Sequence, residues 1–328
     1  MAQFGTAVVT GAGGFIGSHL VEALVRDGVK VRAYVRYNSR GDIGLLRFLP
    51  RECLSSVDIV RGNVLDVESV RQVVRGADVV FHLAALVGIP YSFLNPREVV
   101  EVNVTGTLNV LTAAREAGVG KIVQTSTSEV YGTAQYVPMD ERHPLQAQSP
   151  YAASKIAADA IALSFARSFS LPVAIIRPFN TYGPRQSARA IIPTLIAQAL
   201  AQDTIKVGAT TPTRDFTFVT DTVRAFIRVA EVSACVGEVI NVGSGHEISI
   251  GDLIDRIIAI VDREVAVEVD PQRLRPETSE VRRLLADTAK ARHFLSWAPG
   301  VSLDEGLRRT ADWVSRSLKE FEPGRYSI

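Results

Sequence analysis

The sequence predicts a doubly wound parallel α/β sheet with a smaller C-terminal domain, and three observations predict it. Short β-rich runs alternate with helical stretches through the first half of the chain. A glycine-rich turn, Gly11 to Gly17, falls between the first such run and the first helix. After Arg177 the alternation loosens, and Pro178, Pro184 and Pro193 punctuate it. Strands that alternate with helices pair in parallel through right-handed crossovers.

Taken in order, residues 7–10 read as a strand and 17–27 as a helix. Strands follow at 29–35, 58–61 and 79–83, rich in Val, Ile and Phe. Residues 99–117 carry helical periodicity, 121–125 are a fifth strand, 150–169 a further helix and 173–177 a sixth strand. The chain therefore divides into 1–177 and 178–328, with a late strand near 238–242 placed to rejoin the main sheet.

With 328 residues and 47% hydrophobic content the chain can bury a sizeable core. Its 36 basic and 35 acidic residues leave a net charge of +1, which speaks against a nucleic-acid or membrane partner. No apolar run approaches the roughly 20 residues of a membrane helix, and the first residues lack a basic-then-apolar leader. Cys53 and Cys235 lie far apart and suit a reducing cytoplasm. The five histidines show no metal-ligand spacing, so no metal is expected.

The glycine turn carries the first chemistry. In TAVVTGAGGFIGSHL, Gly11 permits a tight turn, Gly14 lets a pyrophosphate approach the backbone, and Gly17 lets helix and strand pack closely. The helix N-terminus offers free N–H groups and partial positive charge to phosphates. At the end of the second strand, a carboxylate would favour NAD. Val35 and Arg36 stand there instead, with Arg40 near, which places NADP ahead of NAD.

Tyr151 and Lys155, in SPYAASK, share a helix face at i, i+4. A nearby ammonium favours the phenolate, so Tyr151 can act as a base towards a hydroxyl. The fifth strand delivers KIVQTSTSEVYG at its carboxyl end, where sheets of this kind place active-site groups.

The TGxxGxxG turn together with this Tyr-x-x-x-Lys pair resembles the extended short-chain dehydrogenase/reductase family, from Thr10 to near Leu307. The resemblance implies a Rossmann sheet, a homodimer paired through helices at about 96–117 and 150–169, and a nucleotide-diphosphate sugar, GDP- or UDP-linked, as substrate. It implies cofactor contacts from Gly11, Gly14, Phe15, Ile16, Gly17, Arg36, Asn63, Val64, Leu83, Ala84, Ala85, Asn103, Tyr151 and Lys155. Asn63 stands where the family usually has Asp on the adenine amine. Thr127 takes the Ser/Thr place of the catalytic group, with Ser128 and Glu129 beside it. Thr-Ser-Glu resembles GDP-mannose 4,6-dehydratases and UDP-glucuronate decarboxylases, whereas dTDP-glucose 4,6-dehydratases carry Asp-Glu. Ser92, Thr127, Asn180, Arg185, Arg214 and Arg275 match substrate contacts. The expected reaction is 4,6-dehydration, with decarboxylation or 4-epimerisation as alternatives. A non-catalytic dinucleotide-sensing regulator is the reading of another class, and the intact Thr127, Tyr151 and Lys155 argue against it.

Overall fold

A computed structural model describes residues 2–274 and 280–321. The first half runs β1 (Thr6–Thr10), α1 (Phe15–Arg26), β2 (Lys30–Arg36), α2 (Arg51–Ser55), β3 (Val57–Gly62), α3 (Val67–Val74) and β4 (Val79–His82). It continues through α4 (Ile89–Leu94), α5 (Pro96–Val100), α6 (Gly106–Glu116), β5 (Lys121–Thr125), α7 (Pro150–Phe169) and β6 (Val173–Pro178). Then come β7 (Asn180–Tyr182), α8 (Ile191–Ala201), β8 (Thr204–Val207), β9 (Thr213–Phe218), α9 (Val219–Glu231), β10 (Val239–Val242) and β11 (Glu247–Ser249). The chain closes with α10 (Ile250–Val261), β12 (Ala266–Val269), α11 (Ala289–Leu295) and α12 (Leu303–Arg316).

The main sheet has seven strands in the order β10-β6-β5-β4-β1-β2-β3, and every neighbouring pair is parallel. This is the doubly wound sheet. Successive residues of a strand face opposite sides, so the two faces build separate cores. Val9 and Phe81 join α1 and α9 residues such as Leu20 and Phe226 on one side. Val8 and Val80 join Val70, Leu111 and Phe165, from α3, α6 and α7, on the other. Burial on both faces is why these strands read as unbroken apolar runs.

The order reverses between β1 and β4. The connections leaving these two strands diverge to opposite faces, and a crevice opens beyond their carboxyl ends. In the second half, β9 pairs with β7 in parallel and with β11 antiparallel, while β8 pairs with β12. The buried Asp215 carboxylate ties this part together, accepting from Ser244 N and Oγ, Gly245 N and Ala286 N.

The single helix expected over 99–117 is divided. A π-helical turn, Glu101–Thr105, separates α5 from α6. Its buried Asn103 turns inward: Oδ1 accepts from Leu86 N at 2.8 Å, and Nδ2 donates to Leu86 O and Ser154 Oγ. Such π turns arise where a side chain is pulled out of helical register by a partner elsewhere. The α7 helix begins as its sequence suggests, with Ser149 Oγ accepting from Ala152 N and Pro150 in the first turn.

Candidate active site

A cleft of about 1000 Å³ lies along the carboxyl edge of the sheet and continues between it and the second half of the chain. Its floor begins at β1. Gly11 has φ +69°, and a Cβ there would stand 2.8 Å from Ala84 N. The turns after β1 and β4 therefore touch backbone to backbone. Thr10 Oγ1 accepts from Leu83 N and Ala84 N and bonds His82 Nδ1 at 2.7 Å. Thr107 donates to Asn103 O at 2.6 Å, leaving its oxygen to accept from His82 Nε2. His82 is thus held neutral, and burial, aided by Lys155, pulls its pKa down to about 3. Its role is to join β1, β4 and α6 beneath the cleft. At Gly17 a Cβ would run into the Gly11 carbonyl oxygen, so α1 can pack this closely only on a glycine. Gly14 precedes α1 without any side-chain cap. The first N–H groups of α1 remain available to an anion.

Gly11, Gly14, Phe15, Ile16, Gly17, Arg36, Asn63, Val64, Leu83, Ala84 and Ala85 all line the cleft. Asn63 Oδ1 accepts from Leu65 N at 3.0 Å, so it also shapes its own turn. Asn103 and Lys155 are not on the wall. Both are buried behind it, and Asn103 clamps the segment after β4 onto α7 instead of facing a ligand directly.

Thr127, Ser128, Glu129 and Tyr151 converge on one stretch of wall. β5 ends at Thr125, and the chain turns through a one-turn 3-10 helix, Ser128–Tyr131, whose Glu129 N donates to Thr127 Oγ1 at 3.2 Å. Tyr151 and Thr127 line the same stretch of wall, and the Thr127 side chain acts on the Tyr151 phenol. Burial pushes the Tyr151 pKa up, Glu129 and Asp159 add to that, and Thr127 opposes it. Desolvation is the largest cause, and burial therefore opposes the phenolate that a nearby ammonium is expected to favour. Lys155 is pulled down to about 8 by burial, against the raising effect of Asp159.

Behind this wall lies a buried polar network. Asp159 Oδ2 accepts from Ser126 Oγ at 2.6 Å and from Arg177 Nη2 at 2.8 Å. Arg177 Nη1 donates to the Tyr131 hydroxyl, which donates to Asn241 Oδ1 at 2.7 Å. These bonds fix α7, β6, β10 and the Ser128 turn relative to one another.

On the substrate side, Asn180 and Arg214 line the cleft, and Arg214 Nη2 lies 3.1 Å from Glu280 Oε1. Two residues expected to touch substrate stand off the cleft wall. Ser92 is fully buried and off the wall, its hydroxyl donating to Ile89 O at 2.7 Å within α4. Arg185 turns away from the cleft: its Nη2 meets Glu22 Oε2 of α1 at 2.5 Å, beside Pro184 O, which accepts from His19 Nε2. Arg275 lies outside the described residues. Sequence reasoning missed Glu98, Lys206, Arg273 and Glu280, which line the cleft; Arg189, one of two arginines considered from the sequence as a cation for a sugar carboxylate, lines it too. Arg273 opens the RLRPE run and Glu280 lies three residues beyond its end, which was the available signal; nothing local marked Glu98 or Lys206.

The parallel sheet, the glycine turn against β4, and Tyr151 beside Thr127 define an extended short-chain dehydrogenase/reductase, of the kind that acts on nucleotide sugars. Residues 8–310 match the GDP-mannose 4,6 dehydratase family, and the chain belongs to it. It is 36% identical to a UDP-glucose 4-epimerase of Mycolicibacterium smegmatis over 93% of this chain and 97% of that one. It is 34% identical to a UDP-N-acetyl-alpha-D-glucosaminuronate decarboxylase of Bacillus cytotoxicus, over 93% and 96%. The crystal structure of DesIV, a dTDP-glucose 4,6-dehydratase from Streptomyces venezuelae with NAD bound, superposes with a TM-score of 0.84 at 29% identity, over 97% and 99%. Among the described residues no helix is long and apolar enough to cross a membrane.

Proposed function

We propose that the protein is an NAD(P)-dependent nucleotide-diphosphate-sugar 4,6-dehydratase that forms a 4-keto-6-deoxy sugar nucleotide. The observation that carries this reading is Glu129. Its carboxylate shares a wall with Thr127 and Tyr151, where a base is needed for dehydration and not for epimerisation.

The residues fit a dinucleotide: a glycine cradle that a Cβ would fill, an uncapped α1, and small residues at Ala84 and Ala85. When bound, an oxidised nicotinamide would supply the hydride chemistry that oxidation at carbon 4 and reduction at carbon 6 require. Tyr151 takes the proton of the 4-hydroxyl while Thr127 holds the same oxygen. Burial opposes ionisation of Tyr151, so the Lys155 ammonium, although partly countered by its own burial, is needed to favour the phenolate. The resulting ketone acidifies carbon 5; Glu129 takes that proton and passes a proton to the 6-hydroxyl, which departs as water, with the Ser128 hydroxyl as a further hydrogen-bond donor to the leaving oxygen. The proton held by Tyr151 balances reprotonation of carbon 5 through solvent exchange. Asn180 and Arg214 serve the diphosphate, the arginine as a charge-assisted donor. Arg275 is proposed with them from its sequence match alone.

The substrate is a GDP- or UDP-linked hexose. Decarboxylation of a UDP-uronic acid would use the same ketone, and Arg189 on the cleft wall is the cation that favours it. Turnover of GDP-, UDP-, dTDP- and CDP-sugars followed by mass spectrometry tests the proposal. Loss of water supports dehydration; loss of carbon dioxide, an unchanged mass or no turnover rejects it.

A further inference from the structure

We infer that Glu98, of α5, selects the adenosine ribose of the cofactor by accepting the free 2′-hydroxyl of NAD and repelling the 2′-phosphate of NADP. The inference rests on the reading that the cleft holds a dinucleotide.

In sheets of this type the ribose 2′ position lies beyond the end of β2, where a carboxylate on that strand marks NAD. This chain ends β2 with Val35 and Arg36, and a guanidinium considered alone points to a 2′-phosphate. The structure changes the electrostatics of that guanidinium. Arg36 Nη2 lies 3.8 Å from Glu98 Oε1, and both residues line the cleft. Glu98 is the less mobile partner. Its Oε2 accepts from the Tyr91 hydroxyl of α4, and its side chain is 38% exposed against 74% for Arg36. Another carboxylate of this part of the cleft, Asp42, has Oδ1 committed to Gly44 N at 2.8 Å.

A carboxylate from α5 therefore stands beside the guanidinium of Arg36, the last residue of a second strand that ends without one. The Arg36–Glu98 pair sums to zero charge, so it offers no net attraction to a 2′-phosphate carrying about two negative charges. A phosphate that took Arg36 would leave Glu98 unneutralised at close range, and both would repel. A 2′-hydroxyl does the reverse: it donates to Glu98 in a charge-assisted bond and leaves Arg36 in place. With Glu98 neutralised, Arg36 becomes an unopposed cation for the phosphate. The sign of Arg36's contribution thus depends on Glu98, which no local pattern reveals.

Dissociation constants for NAD and NADP, measured by calorimetry on the wild type, Glu98→Gln, Arg36→Ala and the double variant, test this. The wild type should bind NAD more tightly. Glu98→Gln should move the affinity ratio towards NADP by about tenfold, the scale of one close charge–charge interaction in a partly solvated cleft. Adding Arg36→Ala to Glu98→Gln should take back most of that gain. Tyr91→Phe, which keeps the carboxylate, should move the ratio less than Glu98→Gln. A wild type that prefers NADP overturns the inference, and so does a Glu98→Gln ratio within twofold of wild type. A wild type that binds neither dinucleotide rejects the cofactor reading as well as the role of Glu98.

Discussion

Replacing Glu129 by Gln separates the two proton transfers of the proposed reaction. The turn that carries it is held by its backbone, with Glu129 N donating to Thr127 Oγ1 at 3.2 Å and the adjacent Val130 fully buried. Gln keeps that bond and nearly the same shape while removing the charge. The charge acts with opposite sign on the two steps. Glu129 helps to push the Tyr151 pKa up, so its neutralisation makes Tyr151 easier to ionise and does not slow oxidation at carbon 4. Deprotonation at carbon 5 loses its base, which is worth about 10²–10⁴ in rate, or about 3–5 kcal/mol of barrier. In a single-turnover experiment, reduced cofactor should form at least as fast as in the wild type and then persist, with product lagging by that factor. Product at the wild-type rate would refute the assignment. So would equal loss of reduced cofactor and product, which would move Glu129 to the first step.

The remaining predictions concern the scaffold. Gly17→Ala must push α1 off the β1 turn, because the added methyl meets the Gly11 carbonyl; dinucleotide affinity should fall at least about tenfold and stability by about 1–3 kcal/mol in urea unfolding. His82 and His19 have pKa values lowered by burial to about 3 and about 4, so protonation favours the unfolded state, and the stability their neutral forms confer is lost as pH falls below the unfolded value of 6.5. Each contributes a slope of at most about 1.4 kcal/mol per pH unit, and His82→Gln should flatten the decline between pH 6.5 and 4.5; an unchanged urea midpoint over that range would refute it. The proposed dimer places α6 and α7 against a second copy, where Leu108 and Phe169 are 40% and 48% exposed. Sedimentation should show a dimer at micromolar protein and a monomer for Leu108→Arg; a monomeric wild type would contradict the pairing.

The sheet was legible because its central strands are buried on both faces, so that runs such as VVFH announce themselves without alternation. The residues 121–125 and 150–169 are strand and helix as the pattern indicates. The π turn at Glu101–Thr105 was not legible. Its apolar spacing imitates a continuous helix, and its cause is the pair of hydrogen bonds that Asn103 exchanges with the Leu86 backbone, outside the helix. The same division holds at the site. Thr127, Ser128, Glu129 and Tyr151 sit where short local motifs put them. Ser92 and Arg185 carry the right chemistry but point elsewhere. The direction of Ser92 is set by a carbonyl of its own helix, and that of Arg185 by Glu22, far away in the chain. Glu98 went unnoticed for the converse reason: its importance comes from Arg36 on another element. Charges take their meaning from partners, and partners are a tertiary property.

Deuterium tracing tests the dehydration most directly. The wild type, given the sugar nucleotide that it turns over, is run in deuterated water and the product examined by nuclear magnetic resonance. Dehydration through Glu129 predicts solvent deuterium at carbon 5, with the original carbon 4 hydrogen recovered at carbon 6. A product without solvent label at carbon 5, or with the carbon 4 hydrogen returned to carbon 4, would contradict it.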